Sequence, residues 1–146
     1  MTVPELVDGD TVLLVHVACW ETVAGLITGL SIPVAHIAAA RAAAPWSSQT
    51  EHDLCAGLRV GLGIPFIKVL GRKVRLTRAP VFVDCCAGST PLLVVDLLPG
   101  KSHYRRLVIT TDRAEELAKR ICAGLPAPGD TAGQAAEPDA GAAVAP

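Results

Sequence analysis

The sequence predicts an α+β domain: a mainly antiparallel, bent β-sheet or barrel, with a short N-terminal helix and a C-terminal helix capping it. Three observations predict it. Short Val/Leu/Ile runs punctuated by Gly, Pro and Asp recur along most of the chain. They follow one another too closely for a helical crossover between each pair, so most neighbours must run antiparallel. Helical periodicity appears twice, at residues 20–29 and 112–123. The 146 residues suit one domain, residues 1–125, followed by a tail. Apolar residues at 51% can fill a core, and aromatics at 3% leave it to Val, Leu, Ile and Ala.

The elements follow in order. Asp8-Gly9-Asp10 is a turn signal, and residues 12–17 are rich enough in Val and Leu to read as a strand. Val23, Leu26, Ile27 and Leu30 then recur at i, i+3, i+4 and i+7, one face of a helix over 20–29. Pro33 ends it, and "VAHIAAARA" reads as a strand. "APWSSQTEHD" is polar and reads as a loop. "PFIKVLGRKVRL" gives two short β-runs around Gly71. "APVFVDCC", "PLLVVDLL" and "RRLVITT" are strands, the last two joined by a turn at Pro99-Gly100. In "TTDRAEELAKRICAGLP", Asp112 stands at the N-cap and Glu115 three residues on, as in a capping box. Ala114, Leu117, Ala118 and Ile121 recur at helical spacing. Glu115–Lys119 and Glu116–Arg120 are i,i+4 pairs in the favourable order, and Gly124 and Pro126 supply the stop. Residues 126–146 are Ala/Gly/Pro-rich and hold Val144 as their single large apolar residue. Such a stretch cannot offset its ordering entropy and is expected to be disordered.

Composition excludes some classes. A net charge of -1 argues against a nucleic-acid binder. The five cysteines (Cys19, Cys55, Cys85, Cys86, Cys122) are an odd number, and the N-terminus shows no secretory signal, so a reducing cytoplasm is the expected compartment. Residues 22–40 run without a formal charge, but polar residues, two glycines and Pro33 interrupt them, which speaks against a membrane span.

The order "DGDTVLL", "CWE", an apolar stretch closing on Pro33, "GLRVGLGIPFIKVLG", "LLVVDL" and "YRRLVITTDRAEELAKRI" resembles a group of uncharacterised actinobacterial proteins with a bacterial pleckstrin-homology-like domain. The resemblance spans residues 8–123. It implies a bent antiparallel barrel or sandwich capped by the C-terminal helix, and it brings no catalytic residues. "GLITGLSIP" is more apolar here than in that group, and the five cysteines are peculiar to this chain.

Chemistry-bearing residues are few. The glycines of "GLRVGLG" match neither a dinucleotide fingerprint nor a phosphate loop and are expected to serve turns or close backbone approach. From Leu54 to Val83 the chain carries six cations and no acid. Arg59, Lys68, Lys73, Arg75 and Arg78, joined by Arg105, form the candidate ligand-binding set, an anionic-ligand patch. The competing reading is an edge strand guarded by Lys and Arg. His52 and Cys55 lack the paired spacing of a zinc site, and no cysteine sits in a nucleophile signature. Cys19, Cys85, Cys122 and Trp20 read as core, and Trp46 as a partial lid. No catalytic residue, metal or cofactor is expected. The expected function is a non-enzymatic binding or scaffold module for a protein partner or an anionic lipid surface. The alternative is a small cytoplasmic enzyme or metal-binding protein using Cys and His. The helix at 20–29, with Ala24, Gly25 and Gly29 outward, is the expected surface for a homodimer or obligate partner.

Overall fold

The computed structural model describes residues 3–17, 29–55, 58–64, 68–75 and 78–125. Among these residues the chain is α+β, with two sheets that stay open and do not close into a barrel. The smaller sheet is antiparallel: β1 (Val3–Val7), β2 (Val12–His16) and β3 (Leu30–Pro33), in that spatial order. The β1–β2 turn takes left-handed backbone at Asp8, Gly9 and Asp10, with φ of 54°, 67° and 68°. Aspartate tolerates that region better than most residues, and the Thr11 hydroxyl donates to the Asp8 carbonyl at 2.8 Å. β1 carries no sequence signal of its own; Pro4 suits it because it is an edge strand.

A 3-10 turn (Val34–His36) swings the chain into the larger sheet, where "VAHIAAARA" had suggested a strand from its first residue. The strand proper is β4 (Ile37–Ala43). β5 (Leu58–Ile64), β6 (Lys68–Arg75), β7 (Arg78–Cys86), β8 (Leu92–Leu97) and β9 (Arg106–Thr110) complete a six-stranded sheet ordered β4-β8-β9-β7-β6-β5. All its pairings are antiparallel except one: β9 lies between β8 and β7 and runs parallel to β7. "GLRVGLG" is therefore not a turn. Gly61 stands opposite Gly71 in a regular ladder, and β6 runs through Gly71 without a break.

Two helices flank this sheet. α2 (Ala114–Gly124) buries Ala114, Leu117, Ala118 and Ile121, the stripe its periodicity predicts. With β2, β3 and the 3-10 turn it encloses the main core, built on Phe82, Leu93, Val95, Leu107 and Ile109 of the larger sheet. α1 (Ser48–Leu54) covers the other face, where Leu54, Cys55, Val81, Val83, Cys85, Leu92, Val94 and Val108 cluster under a partly buried Trp46. Both faces of β8 and β9 are thus dry, which is why they read as continuous apolar runs without alternation.

Three expectations are corrected. The "APWSSQTEHD" segment is not all loop: Ser47 caps α1, its hydroxyl accepting the Thr50 N–H at 3.1 Å. The α2 cap is not Asp112; Arg113 occupies that position without a side-chain cap, and the Thr111 hydroxyl accepts the Arg113 N–H at 3.3 Å. The close backbone approach expected of Gly29 toward a partner is made within the chain instead: Gly29 is exposed, yet a Cβ there would meet the Val15 carbonyl oxygen of β2 at 3.1 Å. Residues 20–28 of the helix expected at 20–29 and the tail at 126–146 fall outside the described residues, as does Cys19.

Charge fastens α2 to the rest. Arg120 donates to both carboxylate oxygens of Asp10 in the β1–β2 turn and to Glu116 at 3.4 Å. Arg113 forks onto Glu116 at 3.0 and 2.8 Å. Among the described residues no ion pair joins Glu115 to Lys119. The Arg113 hydrogen bonds hold the Glu116 carboxyl down from 4.5 to about 2. A folded-state value below the unfolded one stabilises fully above the unfolded value and is lost as pH falls through the folded one. Thermal melts of Glu116→Gln should therefore fall less steeply than the parent between pH 4.5 and about 2. Parallel acid limbs would show that this pair does not contribute.

Candidate functional site

The six predicted residues separate in three dimensions. Lys68 opens β6 and Arg75 closes it, a span of about 23 Å at strand rise. Arg59 stands opposite Lys73 in the β5–β6 ladder. β6 is interior, flanked by β5 and β7, so the guarded-edge reading of this segment does not hold.

Lys73 is buried and its ammonium is ion-paired with Glu51 of α1. Nothing in the local sequence of Lys73 signals that partner, which lies 22 residues earlier in a helix without apolar periodicity. The pair ties α1 to the sheet. Arg106 ties it a second time, donating to the Leu54 carbonyl at 3.2 Å and to Asp96 at 2.5 Å.

Arg75, Arg78 and Arg105 come together at one end of the larger sheet. Arg75 and Arg78 are register partners where β6 passes to β7. The Arg105 N–H donates to the Pro80 carbonyl at 2.9 Å, which brings the start of β9 alongside the start of β7. Arg78 is exposed and Arg105 half-buried, and exposed Lys101 lies in the β8–β9 connection that leads to Arg105. Two strands and the residue leading into a third thus place arginines at a common sheet end.

The cysteines occupy different surroundings. Cys55 and Cys85 are buried in the second cluster. Burial pushes the Cys55 thiol up to about 11, and pushes Cys85 well above the usual thiol range. Both stay protonated at neutral pH, a poor state for a nucleophile or a metal ligand. The Cys85 thiol donates to the Val108 carbonyl at 3.6 Å and the Cys122 thiol to the Ala40 carbonyl at 3.2 Å. Among the described residues no three His, Cys, Asp or Glu side chains converge on a metal-sized site.

Among the described residues, two open clefts can be delineated. One, of about 600 Å³, lies between the β1–β2 turn and the end of α2 and includes Asp10, Val34, Arg120 and Leu125. The other, of about 560 Å³, lies between β4 and α1 and includes Arg41, Gln49 and Asp53. None of the six predicted residues lines either cleft. No helix among the described residues is long and apolar enough to cross a membrane. No family model matches the chain, and searches of curated proteins and of solved structures find no similar protein.

Proposed function

We propose that this chain is a non-enzymatic, pleckstrin-homology-like binding module of the cytoplasm that docks on an anionic lipid surface through the basic end of its larger sheet. The observation carrying this reading is the convergence of Arg75 of β6, Arg78 of β7 and Arg105, the residue before β9, on one sheet end. A local basic surface on a chain of net charge -1 attracts phosphate-bearing partners without making the whole protein a polyanion binder. Two sheets and a C-terminal helix that share one core support the pleckstrin-homology-like part, while the parallel β7–β9 pairing departs from an all-antiparallel barrel. Lys73 drops out of the docking set because Glu51 neutralises it.

Sedimentation with vesicles of phosphatidylcholine, with and without phosphatidylglycerol, tests the proposal. Each basic residue near such a surface contributes about 1 kcal/mol. Arg75→Gln/Arg78→Gln should therefore weaken binding to the anionic vesicles about thirtyfold and flatten its salt dependence. Equal binding of variant and parent overturns the reading. So does retention on heparin without vesicle binding, which points to a polyanionic partner instead.

A further inference from the structure

The larger sheet has two edges, and they are treated differently. β4 is guarded: α2 packs on it, the Cys122 thiol donates to the Ala40 carbonyl, and the strand carries exposed Arg41. Among the described residues neither helix packs on β5, the opposite edge, as α2 packs on β4. Its seven residues, "LRVGLGI", contain one charge and no proline. Leu58 is 75% exposed and Val60 38%, and both project on the same side of the strand. Natural sheets block such edges with charge, proline or cover, because an open ladder of N–H and C=O groups pairs with another strand.

The composition of β5 favours one partner: itself. We propose that two copies of this chain associate by antiparallel pairing of their β5 strands, joining two six-stranded sheets into one twelve-stranded sheet. With Gly61 on the two-fold axis, Leu58 stands opposite Ile64, Val60 opposite Leu62, and Arg59 opposite Gly63. Every apolar position meets an apolar position and each arginine meets a glycine. A shift placing Arg59 opposite Arg59 is disfavoured by like charge. Gly61 also faces Gly71 in the β5–β6 ladder, so the backbone at the axis is bare and a second strand can approach closely. A two-fold contact of this kind needs one self-complementary patch and closes on itself. About 24 Å of strand is joined, so the dimer is expected to dissociate on dilution.

Light scattering across micromolar concentrations should show a dimer that dissociates on dilution. Val60→Lys and Leu58→Lys replace exposed side chains, so both should melt at the parental temperature yet stay monomeric. Gly61→Cys should give, under mild oxidation, a disulfide dimer through position 61 that the parent does not form, since cross-strand separations match disulfide geometry. A parent that is monomeric at high micromolar concentration overturns the proposal. So does a dimer that both lysine variants leave intact, which would put the interface elsewhere. A dimer disrupted by lysine but without the position 61 crosslink overturns the register.

Discussion

Deleting residues 112–146 should leave a product that no longer melts cooperatively and aggregates. Leu117 and Ile121 are both fully buried against the larger sheet, with Ala114 and Ala118 beside them. Burying two such aliphatic side chains is worth roughly 3 to 6 kcal/mol, a large share of the 5 to 15 kcal/mol typical of a domain. The truncation also uncovers Leu93, Val95, Leu107 and Ile109, and exposed apolar surface of that extent promotes association. Arg120 leaves with the helix, so Asp10 loses the guanidinium that steadies the left-handed turn. Leu117→Ala, at an expected cost of about 2 to 5 kcal/mol, makes the same point without shortening the chain. Removing only 127–146 should not move the melting temperature. A cooperative transition at the parental temperature after removal of 112–146 would show that α2 is dispensable.

Glu51→Ala should be nearly as damaging, although Glu51 sits in a short polar helix. Its carboxylate is the ion-pair partner of Lys73, and the two side chains are 28% and 10% exposed. Removing one partner of a buried pair costs about 3 to 5 kcal/mol because the other charge is left without compensation. The partial exposure of Glu51 lowers the expectation to about 2 to 3 kcal/mol. Lys73→Met should be better tolerated, and Lys73→Met/Glu51→Gln should recover most of the loss, since neither charge then remains. Chemical denaturation of the four proteins measures the coupling. Additive effects would show that the two groups do not interact.

The legible parts of the fold were those whose burial is written along the chain. β2, β7, β8 and β9 are apolar runs bounded by turn residues, and the stripe of α2 matches its buried face. α1 was hidden because it buries Leu54 alone, so no periodicity develops; Ser47 as a cap with Glu51 in the first turn was the available signal. β5 was hidden because Gly61 and Gly63 suggest turns, and only the Gly61–Gly71 pairing shows them in a ladder. The parallel β7–β9 contact has no local signature, because strand order is set by which faces must be covered. The same limit applies to the candidate site. The sequence marked the cations, but it could not show that Glu51 takes Lys73 or that the parallel pairing of β9 with β7 sets Arg105 beside Pro80.

The position of β9 also dictates a timetable. β7 and β8 are consecutive in sequence yet do not pair, because the slot between them is filled by a strand made later. Until residues 106–110 leave the ribosome, β7 and β8 each present an unpaired central edge. Synthesis proceeds at about 5 to 20 residues per second, so those edges wait for a second or more while the following residues are added. During that interval the nascent chain presents two open ladder edges at once, each a template for pairing with another chain.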